Sequence, residues 1–229
     1  ADRLVHASLL DGIHLSGAHC FRFRHNDMTH LHTLLSKHRQ ASRLLIVTES
    51  VFSMDGDVAP LAELLRLKKE FGAQLFVDEA HAIGVFGPQG SGLARALDLH
   101  RDIEYRTGTF GKAFGGYGAF VWCSEEMKTY FINFCRSFVY STALPLPLLA
   151  WNLNALSLLK GMEAERQKLL NESRGCREAL KEKGWVILGE SHILPIVVGD
   201  VSKTVALSRR LEDKGFYIPS IKPPTVPEG

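Results

Sequence analysis

The sequence predicts an α/β fold, with a large domain on a mainly parallel sheet and a smaller α+β unit after it. Three observations carry that expectation. RLLIVTE (43–49) and AQLFVDE (73–79) are short, unbroken apolar runs, the pattern of strands buried on both faces. Between them, Leu61, Leu64, Leu65, Leu67 and Phe71 fall on one helical face, with Pro60 near its start and Gly72 at its end. Strand, helix and strand in that order make a βαβ unit. Late in the chain, ILPIVVGD, SKTVALSRRLEDKG and FYIPSI read as strand, helix and strand of the smaller unit.

The remaining elements follow in order. IEYRTGTF and GAFVWC read as two further strands, and SEEMKTYFINFCRSF as a helix. After the proline-marked turn ALPLP, a long helical stretch runs from about Leu148 to about Lys183, bent or broken near Gly161 or Gly175. The expected division is residues 1–150 for the large domain and 151–229 for a connecting helix and the small domain. The chain opens on ADRLVHASL and stops at PPTVPEG, so it reads as part of a longer protein, truncated at both ends.

Composition narrows the trade. At 45% hydrophobic residues the chain can bury a core, and its formal charge of +2 lacks the basic surplus of a nucleic-acid tracker. Cys20, Cys123, Cys135 and Cys176 lie far apart, which suits a reducing cytosol better than disulfides or zinc. No apolar run reaches the ~20 residues of a membrane span. No nucleic-acid or membrane partner is expected.

LFVDEAH (75–81) contains the four letters of the DEAH ATPase signature. A P-loop requires G-x-x-x-x-G-K followed by Ser or Thr. In TGTFGKAFGGYGAF the lysine is Lys112, but Arg106 stands in place of the first glycine and Ala113 follows the lysine. An ATPase therefore leaves GTFGK unexplained. Asp78 and Ser53 lie at or just past the carboxyl ends of strands, where open α/β sheets place ligands. Asp78 alone could equally cap a turn, and a lone lysine is more often a solvated charge. Together, an amine able to form a Schiff base, a hydroxyl at Thr109 and an acid to pair a pyridinium describe a pyridoxal phosphate (PLP) site.

In order along the chain, HASLLDG, RHNDMTHL, TESVFSMDGDVAPL, VDEAH-x-x-G, GTFGKAFG, YSTALP and PPTVPEG resemble the α-oxoamine synthases, PLP-dependent transferases of fold type I. The resemblance implies that Lys112 forms the Schiff base with the cofactor and that Asp78 pairs with its ring nitrogen. It places His81 and Ser53 at the phenolic edge, Thr109 on the phosphate and His6 against the ring face. Thr225 would lie near the substrate, and Ser141 and Thr142 would reach the phosphate of a neighbouring subunit, which implies a homodimer with shared sites. Catalysis would rest on Lys112, His6 and Asp78.

SMDGDVAPL and IKPPTVPEG favour the member that condenses L-alanine with a pimeloyl thioester, on CoA or a carrier protein, in biotin biosynthesis. The alternative is another member, such as 2-amino-3-ketobutyrate CoA ligase. The family's phosphate loop and carboxylate-binding arginine lie outside these residues, so isolated activity is not expected. Seven of the ten histidines fall between His6 and His38, but His30 and His32 would not face one ligand from a helix and no H-E-x-x-H occurs. No metal is expected.

Overall fold

The computed structural model describes residues 1–226. These divide into two compact units, residues 1–52 with 58–168, and residues 53–57 with 169 onwards. The first unit opens with helices α1 (Ala7–Leu15) and α2 (Met28–Lys37), then strand β1 (Leu45–Glu49), helix α3 (Leu61–Phe71) and strand β2 (Gln74–Asp78). After the short helix α4 (Leu93–Ala96) come β3 (Tyr105–Thr109) and β4 (Ala119–Trp122). The helices α5 (Glu125–Phe134), α6 (Arg136–Val139) and α7 (Leu146–Gly161) complete it, and α8 (Glu163–Glu182) runs on into the second unit.

The sheet order is β1-β2-β3-β4, parallel through β3 and antiparallel at β4. Leu75 and Val77 of β2 are fully buried, as an unbroken apolar run requires. Helix α3 bridges the parallel pair and buries Leu61, Leu64, Leu65 and Leu67. It starts after Pro60 and stops at Gly72, whose φ of 62° closes the helix in the left-handed region. Glu63 in its first turn and Lys68 and Lys69 in its last complement the helix dipole.

The second unit holds strands β5 (Val186–Ile187) and β6 (Ile196–Val197), paired antiparallel, and helix α9 (Val201–Glu212). Gly56 has a structural reason to lack a side chain, since a Cβ there would lie 2.4 Å from the Ile193 carbonyl oxygen. Its own carbonyl accepts the N–H groups of Glu190 and Ser191 at 3.1 and 3.0 Å.

Three expectations need correction. FYIPSI forms no strand; Pro219 lacks a ladder donor, and no strand among the described residues pairs with the segment. The helix expected over SEEMKTYFINFCRSF breaks at Cys135, whose extended backbone separates α5 from α6. The short strand β5 follows Trp185, where no strand was expected. The long helical stretch does break at the residue after Gly161, while Gly175 sits inside α8. Among the described residues no helix is long and apolar enough to cross a membrane. The last three residues of PPTVPEG lie outside the described residues.

Candidate active site

In-register pairing places Glu49 beside Asp78 at the carboxyl ends of β1 and β2, and Asp78 beside Thr107 in the middle of β3, so three polar side chains share one face of the sheet. Asp78 is half-buried, and its Oδ1 accepts the Ala80 N–H at 2.9 Å. That bond turns the chain sharply after β2. The N–H groups of Ala82 and Ile83 then bond the Glu79 carbonyl, and the turn delivers His81. His81 Nε2 stands 2.7 Å from Lys112 Nζ. An acid, an imidazole and an amine thus meet at one rim of the sheet.

The β3–β4 turn holds Lys112 by several independent ties. Phe110 N–H bonds the Gly118 carbonyl at 2.9 Å, and Gly115 N–H bonds the Lys112 carbonyl at 2.9 Å. From α7, Trp151 Nε1 donates to the Phe114 carbonyl at 3.1 Å and Asn152 Nδ2 to the Tyr117 carbonyl at 3.0 Å. Phe110 and Phe114 bracket the lysine and pack with Ile83, Phe120, Ala155 and Leu159. Each such aromatic contributes roughly 1.5–3 kcal/mol of burial when fully covered, so the lysine rises from an anchored base.

The glycine of VDEAH-x-x-G belongs to the same clamp. Gly84 has a φ of 83°, and a Cβ there would lie 2.4 Å from the Ala113 Cβ. Gly84→Ala should therefore destabilise the protein by about 1–3 kcal/mol by driving apart the two turns that carry His81 and Lys112. Chemical denaturation measures it, and an unchanged midpoint would contradict the clamp.

Electrostatics set the amine apart. Loss of solvent around Lys112 Nζ pushes its pKa below the ordinary lysine value, opposed by the negative charges of Asp78 and Glu49. The residue remains exposed overall, so that desolvation is partial. Glu49 is 3% exposed. Burial, then the nearby Asp78 carboxylate, raises its pKa to about 7, against the pull of the His6 N–H and Lys112.

The other expected site residues fall as follows. His6 is exposed and caps α1, with Nδ1 2.8 Å from Ser8 Oγ, and its backbone N–H donates to Glu49 Oε1 at 2.6 Å. Thr109 Oγ1 donates to the Gly118 carbonyl at 3.1 Å and accepts the Gly111 N–H at 3.0 Å, so its proton is committed to the turn. Ser141 and Thr142 are exposed, and Ser141 Oγ donates to the Ser137 carbonyl. Ser53 and Thr225 belong to the second unit, where Thr225 is exposed. The first unit thus brings together Lys112, His81, Asp78 and the His6 backbone.

Two residues of the neighbourhood were not singled out as site residues by sequence reasoning. Glu49 escaped notice, although two acidic strand ends in a parallel pair, RLLIVTE and AQLFVDE, were a usable signal. Thr107 Oγ1 is buried without a hydrogen-bond partner among the described residues and sits in register beside Asp78. Glu79, the second letter of the DEAH signature, is fully buried. It accepts the Ala94 N–H at 2.8 Å and pairs with Arg106 at 3.2 Å.

Comparison with known proteins bears on the family and the fold. The family model described as aminotransferase class I and II matches residues 1–229. An 8-amino-7-oxononanoate synthase of Geobacter sulfurreducens is 47% identical over 100% of this chain and 59% of the relative. The chain therefore spans less than two thirds of that relative's length. A lysine-to-alanine variant of serine palmitoyltransferase from S. paucimobilis, solved with bound PLP-myriocin aldimine, superposes with a TM-score of 0.92 at 31% identity. It matches 100% of this chain and 58% of that one. A solved 8-amino-7-oxononanoate synthase from Francisella tularensis gives a TM-score of 0.81 at 29% identity, over 98% and 65% of the two chains. The fold type I architecture expected from the sequence is the one found.

Proposed function

The chain belongs to the aminotransferase class I and II family, and on that premise we propose that it supplies the PLP-holding part of a decarboxylating acyltransferase. The reaction would join L-alanine to a pimeloyl thioester and yield 8-amino-7-oxononanoate for biotin synthesis. One observation carries the reading: Lys112 Nζ lies 2.7 Å from His81 Nε2 at the strand end that bears Asp78.

The residues present suit the cofactor. An amine of lowered pKa can bond an aldehyde, a carboxylate can face a ring nitrogen, and the buried Thr107 hydroxyl, next to that carboxylate, has no partner among the described residues. When bound, PLP supplies an aldehyde and an electron-withdrawing ring that stabilises charge on the substrate's α-carbon. Lys112 would hold the cofactor and, once released, carry the α-proton as a general base. Asp78 would hold the ring nitrogen in its protonated form. His81 would orient the lysine at the phenolic edge, and His6 would cover the ring face.

Thr109 would reach the phosphate only by giving up its bond to Gly118. Ser141 and Thr142, exposed after α6, would meet the phosphate of a second copy in a homodimer. Thr225 would approach the substrate.

The 47% identity to a named 8-amino-7-oxononanoate synthase supports the alanine and pimeloyl choice over glycine or serine with other acyl groups. The test is an assay of full-length protein with alanine, glycine and serine, each against pimeloyl, acetyl and palmitoyl thioesters. Alanine with pimeloyl thioester should turn over fastest. Preference for another pair would overturn the substrate assignment and leave the acyltransferase class standing.

A further inference from the structure

The end of β1 carries a group to which that reading gives no task. Glu49 is 3% exposed, and its Cα is the register partner of the Asp78 Cα. Two carboxylates therefore leave neighbouring strand ends on one face of the sheet. Glu49 Oε1 accepts the His6 N–H at 2.6 Å, the bond that ties the segment before α1 to the end of β1. Two like charges at such a site cannot both ionise at low cost.

We propose that Glu49 is a positioning residue that keeps the proton of a carboxylate pair with Asp78, leaving the negative charge on Asp78, while its Oε1 fastens the His6 backbone. This rests on the reading of Asp78 and His6 as cofactor-facing residues and deepens it. Burial decides which member keeps the proton. Glu49 is closed to solvent, whereas Asp78 is half-buried and receives the Ala80 N–H on Oδ1.

The groups acting on Glu49 come from each neighbouring segment. Asp78 at the end of β2 and Asp2 near the chain start raise its pKa, while Lys112 from the β3–β4 turn and the His6 N–H lower it. Burial is the largest of these influences, and the pKa is pushed up to about 7. As pH rises past that value a second negative charge appears beside Lys112. It favours the charged amine and withdraws the base that the reaction uses.

The test compares full-length protein with Glu49→Gln, which retains a carbonyl for the His6 N–H but has no proton to lose. Thermal midpoints are measured without cofactor from about pH 4 to 9. The folded pKa of about 7 lies above the unfolded 4.5, so wild type should lose stability relative to the variant as pH rises between those values. The gap should be constant above them. A pH-independent gap would overturn the proposal.

If the variant does not fold, carbon-13 NMR of labelled glutamate in wild type decides. A carboxyl titrating near 7 supports the proposal, and none doing so overturns it. With PLP added, a visible band whose pH midpoint near 7 disappears in Glu49→Gln supports it further. A wild type without any band would overturn the cofactor reading, while the cofactor-free titration still decides the role of Glu49.

Discussion

Replacing Lys112 with alanine should lower turnover by ~10²–10⁴-fold or more and abolish reducible attachment of PLP, with little change in stability. The side chain is exposed and its fixing lies in the turn beneath it, so the fold should tolerate truncation. Lys112→Arg separates charge from nucleophilicity. It restores the cation beside Asp78 and Glu49 but cannot supply a neutral amine, because guanidinium stays protonated. No rescue is expected. In wild type the amine's pKa lies below the ordinary 10.5. The rate should therefore rise with pH as the base is freed, with a midpoint below that value, and fall short where Glu49 ionises. Rates measured across pH for the three proteins check both claims.

Arg106→Met should be the most damaging change to stability, at about 3–5 kcal/mol. Glu79 has no exposed surface, and Arg106 is its cationic partner, stacked 4.8 Å from the Trp122 ring centre. Burial already raises the Glu79 pKa, against the pull of the Ala94 N–H and Arg106. Removing Arg106 raises it further. A carboxyl whose folded pKa exceeds its unfolded one favours the fold below the unfolded value and loses that advantage as pH rises through the folded one. The variant's deficit should thus be largest at neutral and alkaline pH and shrink on acidification. Denaturant titration at several pH values measures it. A deficit that grows in acid would contradict the assignment.

Helix α3 and its two strands were legible because local chemistry and tertiary demand agree there. Leucines at helical spacing, Pro60 before the first turn and Gly72 after the last all point to one element. The Lys112–Asp78–His81 cluster was legible for a different reason, since motif order carried it, and the turns after β2 and β3 bring its members together.

What escaped depends on pairing partners far along the chain. FYIPSI has a strand's composition, yet a strand exists only where another backbone meets its N–H and C=O groups. Cys135 interrupts a helix that side-chain spacing would continue. Glu49 ends an apolar run, and only register with β2 sets it beside Asp78. The hydroxyl of Thr109 could be assigned to a phosphate from the motif, but its bond to Gly118 is a property of the folded turn.

The central claim is that Lys112, beside Asp78, is the amine that holds PLP. Borohydride reduction of full-length protein saturated with PLP, followed by peptide mass spectrometry, tests it most directly. The expected result is a stable pyridoxyl group on the peptide containing Lys112, absent from Lys112→Ala. A pyridoxyl group on a different lysine, or none on a folded protein, would contradict it.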